Sequence, residues 1–217
     1  MPYQSHLEPM LAPPALQAPP MVATDWRTGL PLLTGNLVSL RELQASDAPA
    51  LFAALSSEQV TRFISPPPAT VEGFGRFISW AIRQRQSGEY LCFAIVPNGS
   101  DTPVGIFQVR SLEPAFGTAE WGFALAPECW GTGMFTDGAA LLVDFAFDVI
   151  GVHRLEARAA LKNGRGNGAL RKLGAVQEGV LRRSFLRNGE YLDQALWTIL
   201  QDDWVQAKTV WGSPVIH

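Results

Sequence analysis

Residues Pro127-Glu128-Cys129-Trp130-Gly131-Thr132-Gly133-Met134-Phe135-Thr136-Asp137 join a strand-like run to a long apolar helix, and this junction constrains the chain more than any other segment. Upstream, Thr118-Ala119-Glu120-Trp121-Gly122-Phe123-Ala124-Leu125 has the length and the aromatic and aliphatic content of a strand. Downstream, residues 134–150 carry Asp137, Asp144 and Asp148 at i, i+7 and i+11, one narrow acidic stripe on an otherwise apolar helix. A strand that runs through two glycines into a helix presents unpaired backbone N–H groups at the positive end of the helix dipole. Such a junction suits a phosphate or pyrophosphate. Gly131 and Gly133 lack Cβ atoms, so they permit positive φ and close approach of a ligand to the backbone.

Two other nucleotide-binding loops are excluded by their own requirements. A dinucleotide fingerprint needs a third glycine where Thr136 stands, and a Walker loop needs a Gly-Lys-Ser/Thr triplet that the chain lacks. The neighbours of the loop must therefore decide its role. Its setting is that of a globular protein: 217 residues, 47% hydrophobic and 17% charged, suit one domain with a substantial core. A net charge of −3 argues against a broad nucleic-acid surface, which needs a basic excess. Cys92 and Cys129 lie far apart in apolar or aromatic settings and read as buried reduced thiols. With no disulfide framework, no apolar run near the ~20 residues that cross a bilayer and no secretory signal, a cytoplasmic protein without a membrane partner is expected.

Three regions follow along the chain. Residues 1–34 form a proline-rich arm, with seven of the sixteen prolines before residue 33, and proline at that density blocks regular structure. The arm is expected to lie outside the catalytic core, as a disordered tail or docked on the domain or on a second subunit of a homodimer. Residues 35–205 form the domain and residues 206–217 a tail. Within the domain, residues 37–43 read as a strand, and Ser46-Asp47 offers an N-cap for a helix through Ala54. Pro66-Pro67-Pro68 breaks the chain before a helix from Thr70 to about Gln86. Residues 90–96 and 103–109 read as strands around the turn Asn98-Gly99-Ser100-Asp101. After the glycine loop and its helix, residues 153–159 alternate as a strand, and a short helix around 166–173 ends at Gly174 with Arg171 and Lys172 in its last turn. Asn188-Gly189 between residues 180–187 and 190–200 is a hairpin signal. The order is mixed α/β.

Several catalytic classes lack their residues. Of three histidines, only His153 lies in the domain, at the head of a strand, which leaves no pairing for a Ser-His-Asp or Cys-His enzyme. No CxxC or HxxxH spacing marks a metal site, and no metal is expected.

The string Ala119-Glu120-Trp121-Gly122-Phe123-Ala124-Leu125-Ala126-Pro127, followed by Trp130-Gly131-Thr132-Gly133 and Thr136-Asp137, resembles the acetyl-CoA-binding core of the GCN5-related N-acetyltransferase (GNAT) superfamily. His153-Arg154-Leu155-Glu156-Ala157-Arg158, Asn163, Leu173-Gly174-Ala175 and Glu178-Gly179-Val180-Leu181-Arg182 extend the resemblance over residues 35–204, and their order and spacing resemble the ribosomal-protein N-acetyltransferase branch. The resemblance implies a central, mostly antiparallel sheet flanked by helices, acetyl-CoA as co-substrate, and an amine acceptor, either a protein N-terminus or a small molecule. It implies that the backbone of Phe123, Ala124 and Leu125 pairs with the pantetheine arm. It also implies that the amides of Trp130, Gly131, Thr132, Gly133 and Met134 cradle the pyrophosphate, and that Asn163 contacts the pantetheine, although a turn role for Asn163 fits its glycine-rich surroundings equally. Glu120 stands where related enzymes carry a catalytic glutamate, which makes it the expected general base. A strand glutamate that faces solvent or pairs with an arginine is the alternative.

The sequence departs from the superfamily at three positions. Glu128 stands where Gln or Arg is usual, Arg171 where many members place an acidic tyrosine, and Gly166 where the ribosomal-protein branch often has serine. The general acid is thus left among Ser184, Tyr191 and water. Asp193, after Tyr191, resembles a Tyr-x-Asp pattern of the branch, either to bind a cationic acceptor or as a polar strand residue. These departures also keep open a catalytically silent acyl-CoA-binding or scaffold protein of the same fold.

Overall fold

The structure, a computed structural model, describes residues 25–211. Eight strands form one sheet: β1 (Leu33–Thr34), β2 (Val38–Glu42), β3 (Tyr90–Pro97), β4 (Gly105–Ser111), β5 (Thr118–Leu125), β6 (Arg154–Ala160), β7 (Val176–Arg187) and β8 (Glu190–Leu200). Their order across the sheet is β1-β2-β3-β4-β5-β6-β8-β7, and every pairing is antiparallel except β5 with β6. Helices α1 (Ala48–Leu55), α2 (Glu58–Thr61) and α3 (Val71–Ser87) follow β2, α4 (Met134–Phe145) follows β5, α5 (Gly164–Lys172) follows β6, and α6 (Gln201–Trp211) follows β8.

The sheet separates two cores. Strand β3 is apolar along its length because both faces are covered: Leu91, Phe93 and Ile95 join the core under α4, while Tyr90, Cys92, Ala94 and Val96 join the one under α1 and α3. Burial of each large side chain here contributes about 1.5–3 kcal/mol. Both thiols are buried and unpaired, and burial pushes that of Cys92 up to about 12, an inert thiol.

Local signals act at the element ends. Thr70 Oγ1 accepts from Gly73 N at 3.0 Å to cap α3. Gly174, at φ 93°, closes α5 with bonds from Gly174 N to Arg171 O and from Ala175 N to Leu170 O, a Schellman pair. Asn188 and Gly189, at φ 50° and 79°, turn the β7–β8 hairpin. Asp47 precedes α1 as expected but makes no side-chain cap; its buried carboxylate takes a bidentate guanidinium from Arg41 and the Gln44 amide, each bond 2.8 Å.

The expected acidic stripe has three separate fates. Asp137 accepts from the amides of Asn36, Leu37 and Val38 at 2.8–3.0 Å and so fastens the β1–β2 turn to the first turn of α4. A Cβ at Gly35 would lie 2.4 Å from that carboxylate. Asp144 accepts from the Trp204 indole and from Lys208, and Asp148 is exposed. The helix containing them becomes a π-helical turn at Ala146–Ile150 and stops at Gly151, φ 82°.

Two segments differ from the sequence-based expectation. A helix, α6, replaces the expected transition to a tail: it seats Trp204, 2% exposed, in the core against α4. Residues 1–24 of the expected arm lie outside the described residues, but residues 25–34 are packed. Trp26 is 4% exposed and meets Phe116 edge-on at 5.5 Å, and the buried Arg85 guanidinium donates to the carbonyls of Trp26 and Arg27. Leu33–Thr34 of the same stretch pair with β2 as β1, so the described part of the arm holds a strand that proline density argued against and is docked on the domain.

Two outcomes test this packing. Trp26→Ala removes a core ring and should cost about 3 kcal/mol of stability in denaturant titration. The Arg154 guanidinium, together with the Thr198 hydroxyl, holds the Glu178 carboxyl at about 2, below its ordinary 4.5. Its contribution is therefore present above pH 4.5 and lost as the pH falls through about 2. Because Glu178 is part-exposed, that contribution is reduced by solvent screening. Glu178→Gln should lower the melting temperature near neutral pH by a modest amount and leave it nearly unchanged at pH 2.

Candidate active site

Strand β5 is paired with β6 only from Thr118 to Glu120, opposite Arg154 to Glu156. Beyond that point β5 continues to Leu125 and β6 to Ala160 with no rung between them. The bonds from Leu112 N to Thr118 O and from Ala126 N to Val104 O, at the two ends of β5, turn its even-numbered residues toward β4. Ala124 thus spends its N–H and C=O on β4, whereas Phe123 and Leu125 turn theirs into the gap. One of these is already engaged: the Trp130 indole donates to Leu125 O at 2.9 Å. The N–H and C=O of Phe123 and the N–H of Leu125 remain without a strand opposite them. Exposed edge groups of this kind accept an extended ligand as an added strand.

The gap leads to the glycine loop. Gly131 and Gly133 adopt φ 77° and 92°, and a Cβ at Gly131 would meet nothing within 4 Å. Gly133 caps α4 with no side-chain bond, and among the described residues the amides of Gly131, Thr132, Gly133, Phe135 and Thr136 have no protein partner. Thr132 serves the turn itself: its hydroxyl donates to Cys129 O at 2.7 Å and accepts from Met134 N at 3.4 Å. A cleft of about 710 Å³ lies over the loop and the gap, and its charged lining residues are Arg62, Arg165 and Lys172, with no carboxylate. The Arg165 guanidinium stacks 3.7 Å from the Trp130 ring centroid, which fixes a cation at the loop. An anion-binding nest with three cations around it fits a polyphosphate such as that of acetyl-CoA.

A second cleft, of about 610 Å³, adjoins the first and shares Phe63, Ile64, Phe123, Ala124, Asn163 and Gly166 with it. Glu120 projects into it from the same face of β5 as Gly122 and Ala124. The Glu120 carboxylate is paired with Arg110, its cross-strand neighbour, and lies 3.7 Å from Arg158 on β6. Tyr90 forms part of the wall, its hydroxyl donating to Gln108 Oε1 at 2.7 Å, and burial beside Cys92 holds its proton well above the ordinary 10.

Of the residues expected at the site, Phe123, Ala124, Leu125, Trp130, Gly131, Gly133 and Asn163 line the first cleft and Glu120 the second; Thr132, Met134 and Glu128 line neither. Asn163 acts as the N-cap of α5, its Oδ1 accepting from Gly166 N at 2.9 Å, while its Nδ2 remains available to the cleft. A serine at 166 would set its Cβ 2.5 Å from that Nδ2, so the glycine accompanies this placement of Asn163. Arg171 is turned away, 5.7 Å from the Trp197 ring. Asp193 accepts from the amide of Arg183 at 2.7 Å, inside a bulge of β7 where Arg183 has φ 51°, and Ser184 bonds Leu181 O and Gln194 in the same bulge. Tyr191 is 61% exposed on the hairpin. None of these three lines either cleft. Arg62, Arg165 and Lys172, and the Tyr90–Gln108 pair, belong to no motif and gain their places only through the fold. Among the described residues, no group of three His, Cys, Asp or Glu side chains could hold a metal, and no helix is long and apolar enough to cross a membrane.

A mixed sheet that opens between its two parallel strands, with a glycine loop and helix N-terminus at the opening, defines an acyl-CoA N-acyltransferase. The chain belongs to the GNAT acetyltransferase family, whose domain model matches residues 38–176. It is 26% identical over 185 residues to YoaA of Bacillus subtilis, an uncharacterized N-acetyltransferase, with 79% of this chain and 97% of that one covered. It is 28% identical over 112 residues to the spermidine N(1)-acetyltransferase of Escherichia coli, across 52% of this chain and 60% of that one. Its fold superposes with a TM-score of 0.71 on the ribosomal-protein-S5-alanine acetyltransferase from Vibrio fischeri, at 20% identity over 80% of this chain and 98% of that one. The protein is accordingly an N-acetyltransferase, and the silent-scaffold alternative is set aside.

The glycine loop is tested by Gly131→Val. Space surrounds this position, so the cost to the fold is limited to about 1–2 kcal/mol of backbone strain. A branched side chain over the nest should still weaken acetyl-CoA binding by about tenfold or more in calorimetry.

Proposed function

We propose that the protein transfers the acetyl group of acetyl-CoA to a primary amine, a protein N-terminus or a small molecule, by direct attack, with Glu120 assisting removal of the ammonium proton. The observation that carries this reading is the meeting of the two clefts at Phe123 and Ala124: the cation-lined cleft with the glycine loop opens there onto the cleft that holds Glu120.

The residues divide the work in a simple way. The free amides of Gly131, Thr132, Gly133, Phe135 and Thr136, with Arg62, Arg165 and Lys172, hold the phosphates. The edge groups of Phe123 and Leu125 hold the pantetheine as an added strand, with Asn163 Nδ2 as a further donor. Acetyl-CoA supplies an acyl group already activated as a thioester. Fixing it beside the second cleft converts a bimolecular encounter into an oriented one, which is a large part of the rate enhancement. Glu120, directly or through a water, takes the proton from the acceptor ammonium; the freed amine forms the C–N bond, the C–S bond breaks, and the electron pair leaves on sulfur. The nitrogen then gives up its remaining extra proton, which water in the open cleft carries to the departing thiolate, while the Tyr90 hydroxyl is committed to Gln108. The likeness to a ribosomal-protein acetyltransferase supports the N-terminal acceptor, and the likeness to spermidine acetyltransferases supports a small amine.

Free-thiol release from acetyl-CoA with a panel of amines measures the activity directly. Glu120→Gln keeps the shape but cannot accept a proton, so kcat should fall roughly 100-fold while acetyl-CoA still binds. Full activity of this variant at neutral pH would assign Glu120 to the ion pair alone.

A further inference from the structure

The acceptor cleft has an apolar wall and a sparse, uneven charge. Phe63, Phe74, Phe77, Trp80 and Tyr90 line one side, with Phe77 and Trp80 stacked at 6.1 Å and Trp80 against Tyr90 at 4.8 Å. Its charged lining residues are Arg110, Glu120 and Arg158, two cations to one anion. Behind them Arg154 bridges Glu156 at 2.9 Å and Glu178 at 2.6 Å, which leaves Arg158 only a long 3.8 Å approach to Glu156. The guanidinium side chains of Arg110 and Arg158 are 58% and 36% exposed, against 22% for Glu120. The cleft thus presents two reachable cations flanking a recessed carboxylate.

Resting on the acetyltransferase reading above, we propose that the acceptor is an amine that carries a carboxylate close to its amino group together with an apolar side group, and that the cleft rejects polycations. A zwitterion matches the charge pattern: its ammonium meets Glu120 while its carboxylate takes the guanidinium fork of Arg158 or Arg110. The apolar group lies against the aromatic wall, and the cavity is of the size used for small ligands. A polyamine can satisfy Glu120 with one ammonium, but its second ammonium is then forced near two guanidinium ions, a like-charge contact that disfavours it. A free apolar amino acid and a peptide N-terminus followed by an acidic residue both carry this chemistry.

The test is equilibrium binding to the full-length protein in the presence of CoA, read by tryptophan fluorescence, to which Trp80 on the cleft wall responds. The probes are L-phenylalanine, L-phenylalaninamide, the tripeptide amide Phe-Glu-Ala-NH2 and spermidine. L-Phenylalanine or the tripeptide should bind about tenfold tighter than phenylalaninamide, and spermidine weakest. Whichever of the first two binds identifies the source of the carboxylate. Arg158→Gln and Arg110→Gln, both at part-exposed positions, should each narrow that margin, and the double variant should abolish it. Equal affinity for the amide, tighter binding of spermidine, or no binding of either carboxylate-bearing probe overturns the proposal. Because binding is measured without transfer, absence of thiol release with every amine counts separately, against the acetyltransferase reading.

Discussion

Between β5 and β6 the sheet stops making hydrogen bonds while both strands continue, and the two clefts are built around that gap. An unpaired backbone group in a protein interior is costly, so folds close their ladders unless something else fills them. Here the three rungs at Thr118–Glu120 hold the strands together at one end. At the other end the Trp130 indole satisfies one carbonyl, that of Leu125. The groups left over are those of Phe123 and the amide of Leu125, in a cleft open to solvent. Water can satisfy them in the free protein, and an extended ligand can replace the water with little rearrangement.

The two clefts differ in electrostatic character, three cations in one and a mixed group of two cations and one carboxylate in the other. Arg62, from the end of α2, and Arg165 and Lys172, from α5, line the cleft over the glycine loop, while the Arg110–Glu120–Arg158 group lines the second cleft. Glu120 is placed by sheet register alone: it faces Arg110 across the β4–β5 ladder and Glu156 across the short β5–β6 ladder. A slip of one residue would turn it into the α4 core, so the register that buries Trp121 also aims Glu120 into the second cleft.

What was legible in the sequence follows from how local its causes are. Gly174, Asn188-Gly189 and Thr70 act on backbone atoms within a few residues, and each ends or turns its element as its chemistry predicts. Gly131 and Gly133 are legible for the same reason, since the left-handed backbone they adopt is a property of the residue itself. Asp137 was legible only as part of a stripe. Its partners, the amides of residues 36–38, lie about a hundred positions earlier, and nothing near Asp137 announces them. Helix α6 was hidden because one buried aromatic residue, Trp204, makes no periodic pattern. Glu120 and its two arginines, Arg110 and Arg158, stand on three strands that only the sheet brings together.

The same distinction governs where the chain departs from the usual superfamily motifs. Glu128 lines neither cleft, so an anion there places no charge in the cation-lined cleft, whose field comes from Arg62, Arg165 and Lys172. Gly166 avoids a clash with the amide of Asn163, and Arg171 stacks on Trp197 on a side of α5 remote from the clefts. The cations of the first cleft thus come from Arg62 and from α5 rather than from position 128. The charge of the first cleft and that of the second thus rest on separate residues, so Arg110 and Arg158 can vary without changing the cations around the glycine loop.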